Sequence, residues 1–273
     1  MFIRGECMIK NVADWNPDAY LKFKNERTLP SVDLVGRIEG INPATIIDVG
    51  CGPGNSTQVL SARWQAADIL GIDNSPAMIE KAKQDYPDQK WEVMDARTIG
   101  GKYDLVYSNA TLQWIGDHAN LMPSLFGRVN SGGAFAVQIP SYFEMPVKKA
   151  IDRVAAALSV DRRADQREPS AYPVLENLMT IHPLSAYYDL LAGQAKKIDL
   201  WKTSYFHVME SLQAIVDMIR TTGMKPFLDA LATAEEKTEF ESLVLKELRT
   251  EYDVRGDGKV LFPFERLFFI AYA

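Results

Sequence analysis

The stretch IIDVGCGPGNST, residues 46–57, sets one acid, Asp48, ahead of Gly50, Gly52 and Gly54 at alternate positions. Glycines serve where the backbone must take φ > 0 or where a ligand lies against the main chain. A plain strand-to-helix turn would need only one of them. A dinucleotide site requires G-x-G-x-x-G. Here the third glycine comes one residue early, and Asn55 stands where it should be. A phosphate loop requires G-x-x-x-x-G-K-[ST], and no lysine follows. Both phosphate-binding chemistries are weakened. Further polar residues follow apolar runs downstream: Asp73 in GIDNSPAMI, Asp95 in VMDAR and Asn109 in YSNATLQW. An acid such as Asp73 at a strand tip can accept two ribose hydroxyls as a charge-assisted pair. It could also serve only as part of a helix start, because Asn74-Ser75-Pro76 is a strong one.

The elements that must position these residues follow from hydrophobic patterning. Short apolar runs at 45–49, 68–72, 90–94, 103–108 and 134–139 alternate with amphipathic stretches at 56–64, 76–85 and 119–129. This is the pattern of parallel strands buried on both faces and joined by helices. Asn55-Ser56-Thr57 can cap the first of those helices, and Gly132-Gly133 supplies a turn into the fifth strand. Residues 17–39 read as two helical segments, with Pro17 in a first turn and Pro30-Ser31 between the segments. Beyond Pro140 the rhythm becomes helical, with a break at His182-Pro183, and two late strand-like runs occupy 196–209 and 260–272. The expected fold is α/β: a doubly wound, Rossmann-like, seven-stranded and mostly parallel sheet with helical cap insertions. The expected organisation is an N-terminal extension (1–13), a ligand-binding core with N-terminal helices (14–140), and the remainder of the same domain (141–273). That remainder holds cap insertions at 141–195 and 207–257 and final strands at 196–206 and 260–272. The cap would cover the carboxyl edge of the sheet, where ligands of open α/β sheets bind.

Composition narrows the chemistry. The 273 residues are 47% hydrophobic, enough for one sizeable core. The net charge of −6 comes with interspersed signs and no basic stripe, so nucleic acid is a poor default partner. Cys7 and Cys51 have no paired spacing, which argues for a reducing compartment and against a structural zinc site. No apolar run reaches the ~18 residues of a membrane span, and MFIRGECMIK lacks a signal-peptide h-region. Cytoplasmic placement and no membrane partner are expected.

The motif D-x-G-x-G-x-G resembles the first motif of class I S-adenosylmethionine-dependent methyltransferases. The resemblance implies a loop packed against the amino-acid part of the cofactor, with no phosphate involved. It assigns cofactor binding to Asp48, Gly50, Gly52, Gly54, Asp73 and Asn74. It also implies that Met78 covers the adenine, that Asp95 and the Ala96 N–H meet the adenine edge, and that Asn109 leads toward the transferred methyl. From residue 14 onward the chain is similar to the trans-aconitate methyltransferases. DWNPDAYLKF, GIDNSPAMI, NATLQW with Asp117-His118, PLSAYYDLL, DLWKTSYFHVM and LFPFERLFFIAY carry this likeness. It implies methyl transfer from S-adenosylmethionine to one carboxylate of a small polycarboxylic acid. No catalytic base and no metal are expected, because a carboxylate with a reference pKa near ~4 is already ionised at neutral pH.

A polycarboxylate acceptor calls for cations and hydrogen-bond donors. Arg220, His182, Tyr20, Trp114, Tyr172 and Tyr187 are the residues expected to bind it, with Arg163, Arg167, Arg266 and Lys202 as further cations. Arg27 is expected to bind the cofactor's carboxylate. Other acceptors, a fatty-acyl carboxylate or a hydroxyl, remain alternatives, as do a nicotinamide-dependent dehydrogenase and a non-catalytic cofactor-binding domain.

Overall fold

The computed structural model describes residues 24–164 and 179–273, with side chains described from Thr28 to Ser159 and again from Met179. Tyr20, Tyr172, Arg167, the extension 1–13 and the side chains of Arg27 and Arg163 lie outside the described residues.

Helix α1 (Lys24–Arg37) leads into β1 (Thr45–Val49), α2 (Asn55–Arg63), β2 (Asp68–Asp73), α3 (Pro76–Asp85) and β3 (Lys90–Val93). A 3₁₀ turn at Ala96–Thr98 precedes β4 (Tyr103–Asn109), and α4 (His118–Phe126) precedes β5 (Val129–Pro140). Helices α5 (Pro146–Ala164) and α6 (Leu184–Leu191) lie between β5 and β6 (Lys197–Met209). Helices α7 (Leu212–Arg220), α8 (Lys225–Asp229) and α9 (Ala234–Glu251) lie between β6 and β7 (Val260–Tyr272). The strands form one seven-stranded sheet in the order β3-β2-β1-β4-β5-β7-β6. The first five are parallel, and β7 runs antiparallel to both β5 and β6. The expected doubly wound, mostly parallel seven-stranded sheet is the fold of this chain, and its last two strands form an antiparallel pair with a helical insertion between them.

Four local expectations need correction. Pro30 does not divide two helices. It sits inside α1, where it forgoes one intrahelical bond. The next residue, Ser31, is fully buried and hydrogen-bonds the Tyr107 hydroxyl at 2.7 Å, so tertiary packing overrides the proline. The fifth strand starts at Val129 rather than Ala134, with the two glycines inside it. Gly132 takes φ +81°, and a Cβ on Gly133 would lie 2.3 Å from the Asp104 carbonyl, so the glycines permit close strand approach. Helix α4 accordingly stops at Phe126, capped by Gly127. Strand β6 continues to Met209 rather than 206, since its pairing with β7 runs unbroken to Met209↔Val260.

Apolar side chains fill both faces of the sheet. Ile47, Val49, Val106, Phe135 and Phe269 pack on the face covered by α4 and α6, with Leu121 and Leu191. Ile46, Leu105, Ala136 and Phe268 pack on the other, against Leu34 of α1, Ile38 just after it and Leu60 of α2. A separate cluster joins α5, α7, α8 and α9 through Ile151, Ile215, Ile219, Phe227 and Phe240 to Phe262 of β7. Among the described residues, no helix is long and apolar enough to cross a membrane.

Candidate active site

The carboxyl ends of β1, β2, β3 and β4 open into a cleft of about 550 Å³. That lies within the ~300–1,000 Å³ range of small-molecule sites. Gly50 and Gly52 floor it, with φ of +74° and +55°. At Gly50 a Cβ would sit 2.1 Å from Thr111, and the Thr111 hydroxyl donates to the Gly50 carbonyl at 3.0 Å. The loop after β4 is thereby pressed onto the loop after β1. Gly52 has open space where a Cβ would go, so its backbone is free to meet a ligand. Gly54, at φ +97°, is the N-cap of α2 and abuts Tyr86 and Trp91 rather than the cleft.

The helix cap differs from expectation. Asn55 is the first helical residue of α2 and supplies no side-chain cap. The Ser56 and Thr57 hydroxyls instead donate to one oxygen of Asp48, each at 2.7 Å. Asp48 itself is fully buried beneath the turn and is absent from the cleft lining. Burial raises its pKa to about 6 despite those two donors. Its geometry is that of a brace under the loop.

Asp73 lines the cleft at the tip of β2. Its carboxylate accepts the Gly52 N–H at 3.0 Å and the Ser75 N–H at 2.9 Å. Asn74 and Met78 line the cleft beside it, and the Ser75 hydroxyl caps α3 by accepting the Met78 N–H. Asp95 caps the 3₁₀ turn and pairs with the Arg97 side chain, which holds its carboxyl below the usual range. Ala96, Asn109 and Trp114 complete the wall. Polar atoms with no hydrogen-bond partner among the described residues border this space. They are both side-chain atoms of Asn55, the Asn109 Oδ1 and the Thr28 Oγ1. Buried polar groups are ordinarily satisfied, so this set fits a ligand rich in donors and acceptors.

Three residues expected to bind the acceptor, Arg220, Tyr187 and His182, line neither the cleft nor a smaller cavity beside it. Arg220 projects from α7 to Glu241 of α9, at 2.6 Å through its Nε, and lines neither the cleft nor the cavity beside it. A carboxylate within the chain takes its fork. Tyr187 is completely buried, stacked on Phe269, and its hydroxyl meets the His118 Nδ1 at 3.1 Å and accepts the His182 N–H at 3.2 Å. It is a core residue that holds the segment before α6. His182 is exposed, with its ring against those of His118 and Tyr187, and it also lines neither space.

Ala110, Tyr142 and Gly223, which were not foreseen, contribute beside the expected Trp114 and Arg266. Ala110 takes φ +56° at the mouth of the cleft, a conformation rare for a residue with a Cβ. Its N–H donates to the Gln138 carbonyl at 3.0 Å, and its carbonyl accepts from the Gln113 side chain at 2.8 Å. Strain of this kind persists where surroundings over-determine it, often at functional sites. Ala110 and Trp114 also wall a smaller cavity of about 80 Å³, lined further by Tyr142, Gly223 and Arg266. The NATLQW stretch and Arg266 in LFPFERLFFIAY are the sequence signals that point here.

Comparison with known proteins gives this geometry a family. Residues 46–133 match a model described as a methyltransferase domain. A trans-aconitate 2-methyltransferase of Methylobacterium radiotolerans is 41% identical over 262 residues, spanning 95% of this chain and 98% of the relative. One of Escherichia coli is 38% identical over the same length, again covering 95% and 98%. Among solved structures, phosphoethanolamine N-methyltransferase 2 of Haemonchus contortus, in complex with S-adenosyl-L-methionine, superposes with a TM-score of 0.58 at 13% identity. That match covers 94% of this chain and 56% of the other. The YcgJ protein of Bacillus subtilis gives 0.54 at 11% identity, covering 89% and 97%. At such identities these two structures speak to the fold alone. The chain belongs, on its near full-length likeness to the curated relatives, to the trans-aconitate 2-methyltransferase family of S-adenosylmethionine-dependent methyltransferases.

Proposed function

We propose that this enzyme transfers a methyl group from S-adenosylmethionine to a carboxylate of trans-aconitate, forming a monomethyl ester. The observation that carries the reading is one cleft bordered by the glycine turn, Asp73 and Asn109 at successive strand ends. The acceptor's identity is supported by relatives of nearly equal length that bear that name.

Within the cleft, Asp73 is the group placed to accept ribose hydroxyls, because its carboxylate faces the space while two backbone N–H groups fix it. Gly50 and Gly52 would let the amino-acid part lie on the main chain, and Asn55 and Asn109 offer their unpartnered side-chain atoms. Met78, Asp95 and Ala96 form the wall assigned to the adenine. Asp48 supports the turn from below. Bound S-adenosylmethionine supplies an electrophilic methyl on a sulfonium. An acceptor carboxylate oxygen takes that methyl while the bonding pair stays with sulfur, so opposite charges cancel and no proton moves. The protein's contribution is alignment, an effect worth up to ~7–11 kcal/mol in good geometries. The helical insertions between β5 and β7 would act as a cap that excludes water.

The test is calorimetric titration with S-adenosylmethionine, followed by detection of the methyl ester of trans-aconitate. Absence of cofactor binding would overturn the reading of the cleft. Binding without esterification of trans-aconitate would overturn the acceptor.

A further inference from the structure

We infer that the Tyr187 hydroxyl and the His118 imidazole are positioning residues for methyl transfer: together they fasten the 3₁₀ turn Leu112–Trp114, which stands between the cofactor cleft and the smaller cavity, to residues 180–182 of the helical insertion. This rests on the reading of the enzyme as a methyltransferase and gives two residues outside its cleft a part in alignment.

The turn belongs to the wall that both spaces share. Trp114 lines the cleft and the smaller cavity, Gln113 the cavity, and Ile115 and Gly116 the cleft. The backbone is strained on either side of it. Ala110 and Asp117, at φ +56° and +60°, are the non-glycine residues with positive φ among the described residues, and they bracket the turn. Such conformations persist where neighbours over-determine them. On the floor side, the Thr111 hydroxyl holds the Gly50 carbonyl. A short 3₁₀ turn supplies few and poorly aligned bonds of its own, so the opposite side needs a hold as well.

Two hydrogen-bonded paths supply it. In the first, the Thr180 N–H donates directly to the Gln113 carbonyl at 2.7 Å. The second runs through side chains. His118, the first residue of α4 and 1% exposed, meets the Leu112 carbonyl with Nε2 at 2.9 Å and the Tyr187 hydroxyl with Nδ1 at 3.1 Å. A carbonyl only accepts, so Nε2 carries the proton. Burial lowers the pKa of the ring, which leaves Nδ1 an acceptor for the Tyr187 O–H at neutral pH. The Tyr187 oxygen in turn accepts the His182 N–H at 3.2 Å. Every donor on this path has one acceptor, and the path runs one way, from His182 to Leu112. Asp117, the adjacent acid, does not compete, because it accepts the Asn120 amide at 2.8 Å. Thr180 and His182 thus hold the successive residues Gln113 and Leu112. Ile181, between them, packs on both the sheet core and the cap cluster.

A displaced Trp114 would shift whatever lies across the wall, and transfer in line tolerates little misplacement. The ribose side of the cleft is held separately, by Asp73 on the Gly52 and Ser75 N–H groups. Loss of the clamp should therefore reach the transfer step and spare cofactor binding.

The experiment compares the wild type with Tyr187→Phe, His118→Gln and His118→Leu. Each is assayed for kcat with saturating trans-aconitate and S-adenosylmethionine, and for S-adenosylhomocysteine affinity by calorimetry, at a temperature where circular dichroism shows it folded. Tyr187→Phe keeps the ring stacked on Phe269 and deletes only the hydroxyl. His118→Gln keeps an N–H donor for the Leu112 carbonyl, and His118→Leu does not. Tyr187→Phe and His118→Leu should each lose roughly tenfold in kcat, the worth of one hydrogen bond. Their S-adenosylhomocysteine affinity should stay within about twofold, and His118→Gln should recover most of the rate. A merely structural role would lower the melting temperature of all three and leave the kcat of the folded enzyme unchanged, which overturns the clamp. Equal losses in His118→Gln and His118→Leu also overturn it, as does a parallel loss of S-adenosylhomocysteine affinity. Should His118→Leu fail to fold, the kcat of Tyr187→Phe decides. Failure of the wild type to esterify any carboxylic acid would instead remove the functional reading on which the clamp rests.

Discussion

Asp73 ties the glycine turn to the tip of β2 and faces the cleft with the same carboxylate. Replacing it removes a charged acceptor, worth roughly 1.5–3 kcal/mol for a ligand hydroxyl pair. Asp73→Ala should therefore weaken S-adenosylmethionine binding by about that amount in calorimetry, and unchanged affinity would refute the ribose assignment. Asp48 predicts something different, because it lies under the loop. Its folded-state pKa of about 6 exceeds the ordinary aspartate value of 3.8. Between those values the native state keeps the proton and the unfolded state has lost it, so this group makes stability fall as pH rises. Below that window both states are protonated, and above it both are ionised. The full effect is on the order of 3 kcal/mol. Asp48→Asn retains an acceptor for Ser56 and Thr57 without the ionisation. Relative to wild type, the variant should gain stability by up to that amount between pH 4 and pH 7 in urea unfolding. A pH-independent difference would show that Asp48 carries no such penalty.

At the scale of elements, α7 shows how a sequence can place a residue correctly on a helix yet miss its direction. Ile215, Val216 and Ile219 bury one face of α7, and Arg220 ends the helix beside α9. Its guanidinium is 53% exposed and already occupied by Glu241, and exposed pairs are worth about 0–1 kcal/mol. Arg220→Ala should thus cost no more than that in thermal or chemical unfolding and leave the trans-aconitate KM unchanged. A raised KM would return Arg220 to the acceptor site. The same limit explains the rest of what was and was not legible. The apolar runs of β1, β2 and β4 revealed the parallel sheet, since strands buried on both faces have little alternation to misplace. Asp73, Asp95 and Asn109 could be read as neighbours because each ends or follows such a run, whereas Met78 came from the family resemblance. Tyr187 could not be distinguished from a pocket residue, because its burial depends on Phe269 and His118, distant in sequence. Tyr142 and Arg266 are brought together by the register of β5 against β7, and Gln113 joins them from the turn after β4. No local pattern encodes that pairing. Pro30 misled for a similar reason, because the packing of Ser31 on Tyr107 outweighs a local turn signal.

Across the whole molecule, the site joins parts of the chain that fold far apart in sequence. The cofactor cleft is built by residues up to Gly116, whereas the adjoining cavity needs Tyr142, α7 and the start of β7. The last strand is inserted between β5 and β6, so the second half cannot detach without breaking the sheet. A ligand in the cleft should consequently stabilise the chain as one cooperative unit. At a free concentration 100 times its Kd, a ligand that binds only the native state adds about 2.7 kcal/mol. For a protein of this size each kcal/mol moves Tm by about 2–4 °C. S-adenosylhomocysteine at that excess should raise a single melting transition by roughly 5–10 °C. Trans-aconitate should add a further increment most effectively when the cofactor product is already bound, because Ala110 and Trp114 border both spaces. Differential scanning calorimetry would show this directly. Two separate transitions, with only the first responding to S-adenosylhomocysteine, would mean that the cleft and the final hairpin unfold independently, and the coupling drawn from the strand order would fail.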